Sequence, residues 1–222
     1  MSTILIGIAG GTGSGKSTVL HLLNHMYDAS KGKVLIYGKD VRSYKEKELT
    51  KIVGLVPQRG VLFHGSIRDN IRFGREDITD DMIATAVHAA QADNVIESKE
   101  HGLDEEILQD ARNLSGGQRQ RLTIARALAG QPKILVLDDS ASALDVATDA
   151  ALRKAIRGLP WHPTTFIVSQ RASSVMEADQ ILVMEDGCIV GKGKHEDLLR
   201  DNAIYQEIYY SQFPKDEKEQ NS

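Results

Sequence analysis

The chain has 222 residues, 41% of them hydrophobic, and a formal net charge of −4. That suffices for one sizeable core, while no apolar run approaches the roughly 20 residues a membrane-spanning helix needs. A single cysteine, Cys188, excludes an internal disulfide; the charge balance gives no reason to expect nucleic acid as a partner; and Met1 runs into glycine-rich sequence too soon for a signal peptide, so a cytoplasmic protein is expected.

In chain order, Thr3 to Ala9 reads as a buried strand and is followed by a glycine-rich turn. A helix comes next, with Val19, Leu22, Leu23 and Met26 at i, i+3, i+4, i+7 spacing. Lys33 to Tyr37 and Lys51 to Val56 are short strand candidates. From Thr79 to Glu97 the pattern is helical, with Asp80 and Asp81 in a first turn and Ile83, Ala86, Val87 and Ala90 on one face. A second helix is expected from Gly117 to Ala129, then strands over Ile134 to Leu137, Thr165 to Val168 and Ile181 to Met184. Asp186-Gly187 makes a tight hairpin into Ile189-Val190. Strands alternating with helices predict an α/β fold with a mostly parallel sheet covered on both faces. The domain is expected to span residues 1–213, with a helical subdomain at about 72–130 inserted against the sheet and residues 214–222 as a disordered tail.

Gly10 to Ser17 reads GGTGSGKS, which fits G-x-x-x-x-G-K-[ST], and Thr18 follows. The run Gly10, Gly11, Thr12, Gly13, Ser14, Gly15 lets successive backbone N–H groups turn inward around phosphate oxygens, and the helix start adds positive partial charge. Lys16 would reach the β- and γ-phosphates and Ser17 would ligate Mg²⁺. Such loops serve kinases, GTPases and many ATPases, so alone this one says nucleotide and no more.

The stretch from Asn113 to Arg121 reads NLSGGQRQR. Ser115, Gly116 and Gly117 stand at a helix start, where hydroxyl and amide donors converge on an anion. With Leu114 and Gln118 they form LSGGQ, which resembles the signature of ABC-type ATPases. The resemblance implies that this segment addresses the γ-phosphate bound to the opposite subunit, so that two chains enclose two ATP molecules. Ile134 to Asp139 (ILVLDD) resembles the family's Walker-B strand, with Asp138 holding Mg²⁺ through its water shell. Ser142 to Asp145 resembles the D-loop along the dimer seam, and Gln58 the Q-loop glutamine that senses Mg²⁺ and the attacking water. Residues 62–71, LFHGSIRDNI, look like exporter text. The resemblance therefore implies a P-loop NTPase core with a short, incomplete antiparallel β portion, ATP and Mg²⁺ as cofactors, and ATPase activity that powers a bacterial multidrug or lipid exporter. It implies as partners a second ATPase domain and transmembrane domains outside this chain, which would hold the domain at the inner face of the cell membrane.

Four departures from the family pattern bear on that expectation. Asp139 stands where the family carries the glutamate that polarises water, and losing one methylene withdraws the carboxylate by about 1.5 Å. Gln170 stands where the family carries its switch histidine; an amide can donate to a phosphate but cannot carry charge. Both changes serve one ATP site while LSGGQ, which serves the other, is intact. This resembles the slow half of a heterodimeric exporter. A non-hydrolysing regulatory module and a self-sufficient homodimer using Asp139 as a weak base remain the alternatives. Third, Glu106 to Arg112 lacks the glutamate and glycine of the exporter X-loop, with Gln109 and Ala111 about where they would be. Fourth, only nine residues precede Gly10 and none is aromatic, so an adenine-stacking platform is expected to be missing.

Of the other candidates, His64, His162 and His195 read as solvated loop residues, and His21 and His25 as surface or packing residues. Tyr205, Tyr209 and Tyr210 read as helix packing. Arg119, Arg121 and Arg126 read as a solvated basic flank of the helix behind the signature.

Overall fold

The computed structural model describes residues 3–214; apart from Pro214, the expected tail lies outside the described residues. Strand β1 (Ile4–Gly10) leads through the glycine-rich turn into α1 (Lys16–Leu23), and β2 (Leu35–Ile36) and β3 (Lys39–Asp40) make a two-stranded antiparallel pair. Helix α2 (Glu46–Ile52) runs straight into β4 (Val53–Val56). Next come β5 (Gly65–Ser66), α3 (Ile67–Arg72), α4 (Asp80–Ala89), α5 (Asp93–Glu97), β6 (Glu106–Ile107) and α6 (Gly116–Ala129). The chain then alternates through β7 (Ile134–Asp138), α7 (Val146–Arg157), β8 (Thr164–Val168), α8 (Ala172–Val175) and β9 (Gln180–Glu185). It closes with β10 (Cys188–Gly193), α9 (His195–Asp201) and α10 (Ala203–Tyr210).

The main sheet has the order β10-β9-β1-β8-β7-β4, parallel throughout except for β10, which returns antiparallel beside β9. Its side chains alternate between two apolar layers, as the period-two geometry of a strand requires. Leu5, Leu135, Leu137, Ile181 and Val183 face the layer that contains α4, α6 and α7. Ile8, Val136, Val168 and Met184 face the layer with Leu20, Ile36, Val41 and Leu49. Both faces are covered, which is why these strands are apolar almost without interruption. The fold is the mixed α/β architecture expected, with short antiparallel pairs β2–β3 and β5–β6 beside the main sheet.

Local expectations differ from the structure in three places. Lys51 and Ile52 belong to α2, whose first turn carries Glu46 and Glu48, so the strand begins only at Val53. The helical stretch from Thr79 is two helices, because Gln91 takes φ 57° between them; Thr79 caps the first by accepting from the Met82 N–H. Along α1 the fully buried residue is Leu20, one place off the expected stripe, and Met26 lies past the helix and is exposed. The inferred hairpin is present, with Asp186 at φ 45° and Gly187 at 77°, the two positive values that a tight primed turn requires.

Close approach limits one strand sharply. A Cβ placed on Gly54 of β4 would lie 2.9 Å from the Ala127 carbonyl at the end of α6 and 2.9 Å from the Pro132 ring. Neither neighbour can swing away. Gly54→Ala is expected to cost about 2 kcal/mol and to lower the melting temperature by roughly 5 °C, read by thermal unfolding.

Candidate functional site

Four loops leave the carboxyl ends of parallel strands and meet, as ligand sites in open α/β sheets do. They follow β1 (Gly10), β4 (Val56), β7 (Asp138) and β8 (Val168). Together they line a cavity of about 320 Å³ formed by Thr12, Gly13, Ser14, Gly15, Lys16, Ser17, Thr18, Gln58, Asp138, Asp139, Val168 and Gln170.

The loop after β1 is set by its glycines. Gly15 is the residue before α1 and sits at φ 91°, a left-handed conformation that turns the chain into the helix without a Cβ penalty. Gly10 and Gly11 do not line the cavity. Gly10 matters for packing instead, since a Cβ there would meet the Met184 carbonyl at 2.4 Å and Ser14 Oγ at 2.5 Å. Lys16 is buried, and its Nζ donates to the carbonyls of Gly10 (2.7 Å) and Gly11 (2.5 Å) and to Ser14 Oγ (3.2 Å). Burial pushes its ammonium below the usual lysine range, opposed by the attraction of Asp139 and then Asp138. The loop thus holds a cation at its own centre, next to the first free N–H groups of α1.

Ser17 Oγ donates to Asp138 Oδ1 at 3.2 Å, joining the start of α1 to the end of β7. A hydroxyl and a carboxylate side by side are hard oxygen donors of the kind Mg²⁺ takes together with phosphate oxygens and water. Among the described residues no cluster of three or more His, Cys, Asp or Glu side chains offers a metal cage. The Ser17 hydroxyl and Asp138 carboxylate fit a magnesium ion carried in with a nucleotide.

Asp139 is half-buried and takes φ 44°, strained for a residue with a Cβ; its N–H donates to the Val168 carbonyl at 2.8 Å. Gln58 Nε2 donates to Asp139 Oδ2 at 3.3 Å. Burial raises the Asp139 pKa above the usual carboxylate value, against the Gln170 backbone N–H and the Gln58 amide, which favour the ionised form. Gln170 itself is exposed to the cavity.

The signature residues lie elsewhere. Ser115 caps α6 by accepting from the Gln118 N–H at 3.2 Å, while Gln118 Oε1 accepts from the Ser115 N–H at 2.9 Å, a reciprocal capping box. Gly116 lines a different groove, with Gln58, Arg59, Gly60, Val61, Ser142 and Ala143, and a Cβ on Gly117 would come within 3.3 Å of the Ala143 carbonyl. No residue of LSGGQ lines the phosphate cavity.

Other candidates fall differently from expectation. Arg126 is no solvated flank: it donates to Asn70 and Val61, and burial lowers its pKa to about 10. Arg121 is likewise engaged with the Gln91 carbonyl and Asn94. His195 is not a loop residue; it opens α9 and meets the hydroxyl of the fully buried Tyr205 at 2.9 Å. His64 is exposed, as expected, and pairs with Glu106 at 3.0 Å on the surface. Asp110 and Ala111, in the segment compared with the X-loop, both take left-handed φ angles of 58° and 51° without being glycine. Sequence reasoning missed Arg171, whose guanidinium donates to the carbonyls of Leu144 (3.1 Å) and Ser142 (3.4 Å), and Gln212, which bonds the Gln170 carbonyl. Only its place next to Gln170 could have flagged Arg171.

A glycine-rich loop before a helix, a buried lysine at its centre and two acids at the end of a strand two places along the sheet define a nucleotide-binding P-loop domain. The family profile described as ABC transporter matches residues 3–142, more than half of the chain. The chain belongs to the ABC transporter family, as an ATP-binding domain of the ATPase class. It is 44% identical over 214 residues to the uncharacterized ABC transporter ATP-binding protein YfiB of Bacillus subtilis, covering 96% of this chain and 37% of that protein. It is 42% identical over 200 residues to the beta-(1→2)glucan export ATP-binding/permease protein NdvA of Rhizobium johnstonii, covering 90% and 34%. A solved structure of a bacterial Atm1-family ABC exporter with ATP bound superposes with a TM-score of 0.89 at 35% identity, covering 95% of this chain and 37% of that one. The chain thus spans a little over a third of the length of these relatives. Among its described residues no helix is long and apolar enough to cross a membrane.

Proposed function

We propose that this domain binds MgATP at Gly10 to Thr18, Gln58 and Asp138, pairs head to tail with a second ATPase domain over two ATP molecules, and so powers an ABC exporter. The carrying observation is the separation of two phosphate-directed segments. Lys16, Ser17, Asp138, Asp139 and Gln170 share one cavity, whereas Gly116 lines another and Ser115 beside it is exposed outside the first. The two cavities share only Gln58, an arrangement that two chains paired head to tail would complete. The exporters among its relatives supply the class of transporter, in which membrane-spanning domains outside this chain would be the partners. In this reading residues 1–213 form the domain and residues 72–130 its helical insert.

Within the site, Lys16 leaves its own loop carbonyls for the β- and γ-phosphate oxygens. Ser17 and Asp138 would hold Mg²⁺, which when bound neutralises charge developing on the phosphates. Asp139 takes the place of general base, oriented by Gln58, and Gln170 donates to the γ-phosphate. The shortened carboxylate and uncharged amide make hydrolysis here slow, so that closure over ATP, rather than hydrolysis at this site, moves the membrane domains.

Ser115→Arg tests the two-chain arrangement. MgATP is expected to shift the wild-type chain from monomer to dimer in size-exclusion chromatography. The variant is expected to stay monomeric while its nucleotide affinity changes by less than about twofold, because Ser115 is no part of its own phosphate cavity. Loss of nucleotide binding by the Ser115→Arg monomer would show instead that the signature serves its own chain.

A further inference from the structure

The loop from Ser169 to Ala172, which presents Gln170 to the phosphate cavity, leads into a helix too short to order it. Helix α8 has four residues, and Arg171, the residue before it, provides no side-chain cap. A helix start without a cap leaves N–H donors to be satisfied from elsewhere. Here the partner comes from 40 residues further along the chain: the Ala172 N–H donates to Gln212 Oε1 at 2.9 Å. The same side chain turns its Nε2 to the Gln170 carbonyl at 2.7 Å. One amide therefore uses its acceptor and its donor on two residues that flank Arg171.

Gln212 is itself held. Its N–H donates to the Tyr209 carbonyl at 3.0 Å just past α10, where Tyr209 and Phe213 stack with ring centroids 4.9 Å apart. Helix α10 is anchored by the buried Tyr205, whose N–H donates to Asn202 Oδ1 at 2.8 Å while Asn202 donates to the Val190 carbonyl at 3.1 Å. On the other side of the loop, Arg171 ties it to the carbonyls of Leu144 and Ser142, and Ser169 Oγ accepts from the Arg171 N–H at 3.0 Å. The backbone of Gln170 lies beside the Asp139 carboxylate, whose ionised form its N–H favours, and is held on its carbonyl side by Gln212.

We propose that Gln212 is a positioning residue for ATP hydrolysis: from the end of α10 its amide clamps the loop that carries Gln170, setting where that side chain and the Asp139 carboxylate stand in the cavity. This rests on the reading of the cavity as the ATP site. It makes α10 a point from which anything bound to the C-terminal face could alter turnover without touching nucleotide.

The test compares wild type, Gln212→Met and Gln212→Glu, with Lys16→Ala as control. Single-turnover hydrolysis of MgATP is measured in the native chain and in an Asp139→Glu background that gives more signal; ATP affinity, melting temperature and amide hydrogen exchange are measured alongside. Gln212→Met keeps length and loses the hydrogen bonds to Ala172 and Gln170, together with the longer one to the Ile208 carbonyl at 3.4 Å. It is expected to slow hydrolysis on the order of tenfold at unchanged ATP affinity, with the Ala172 amide exchanging at least about tenfold faster. Gln212→Glu keeps an acceptor for Ala172 but sets a carboxylate oxygen against the Gln170 carbonyl. It is expected to restore Ala172 protection without restoring the rate, a split that a purely structural role would not give. Wild-type rate and exchange in Gln212→Met overturn the proposal, as does a rate loss that follows only the unfolded fraction. If Lys16→Ala leaves hydrolysis unchanged, the ATP-site reading fails, whatever Gln212 does.

Discussion

Replacing Asp139 with glutamate and Gln170 with histidine together is expected to raise steady-state ATP turnover by at least about 100-fold, the lower end of what a well-placed general base contributes. Asp139 is anchored at backbone and side chain: its N–H donates to the Val168 carbonyl at 2.8 Å, and its Oδ2 accepts from Gln58 at 3.3 Å. With φ at 44° the Cβ direction is set, so the carboxylate cannot make up the missing methylene by a backbone adjustment. Glutamate at the same Cα moves the carboxylate about 1.5 Å further into the cavity, toward water beside the γ-phosphate. Histidine at position 170 adds a donor that can carry charge where the phosphate becomes more negative. Asp139→Glu alone should account for most of the gain and Gln170→His alone for little. Adding Lys16→Ala to the double variant should abolish it. A wild-type chain that already turns over faster than about 1 per second would refute the slow-site reading and leave a self-sufficient homodimer as the better account. A wild-type residual rate unaffected by Asp139→Asn would show that Asp139 is not the base at all.

The phosphate loop, the acids ending β7 and the capping serine of the signature were legible because each is a local device. A glycine at positive φ before a helix, a carboxylate at the end of an apolar strand and a Ser-x-x-Gln cap are each written within a few consecutive residues. The sheet was legible for the same reason, since buried parallel strands show as short apolar runs. Helix α7 escaped, although Asp145 accepts from the Thr148 N–H at its start, Leu152 and Ile156 are buried four apart, and Gly158 follows its end. Its many alanines and charges blur the stripe, and Ser142 to Asp145 drew the reading toward a loop. What joins residues far apart could not be read at all. Nothing around Gln212 marks it as the partner of Gln170, and nothing around Arg126 distinguishes it from Arg119 on the same helix. A side chain's hydrogen-bond partner across the fold leaves no periodicity, so the roles of these residues come only from the assembled molecule.

Arg126 gives the larger stability effect for that reason. Its Nε donates to the Asn70 carbonyl at 2.8 Å, one guanidinium nitrogen to Asn70 Oδ1 at 3.0 Å and the other to the Val61 carbonyl at 2.9 Å. The guanidinium also lies over the rings of Phe63 and Phe73, 5.4 and 4.9 Å from their centroids, and those rings stack on each other. Asn70 is buried and spends its amide on the carbonyls of Phe63 and Ser66, so Arg126 adds a polar tie from α6 to a turn whose Leu62, Ile67 and Ile71 already share its apolar layer. Arg126→Ala is expected to cost about 3 kcal/mol, since it removes three hydrogen bonds from a charged donor and leaves the Asn70 carbonyl short of a partner. For a chain of this size that lowers the melting temperature by roughly 10 °C. Arg126→Lys separates the two meanings of the residue. If charge on a solvated flank were what mattered, lysine would melt like wild type. If the planar fork and its stacking matter, lysine should recover less than half of the loss, because a single ammonium cannot serve Val61 and both oxygens of Asn70 at once. Asn70→Ala should be destabilising too, and in combination with Arg126→Ala clearly less than additive, as two substitutions in one network are. Because residue 61 lies only three positions beyond Gln58, the Arg126→Ala chain should also lose the ordering of the Gln58 loop before it loses nucleotide binding at Lys16.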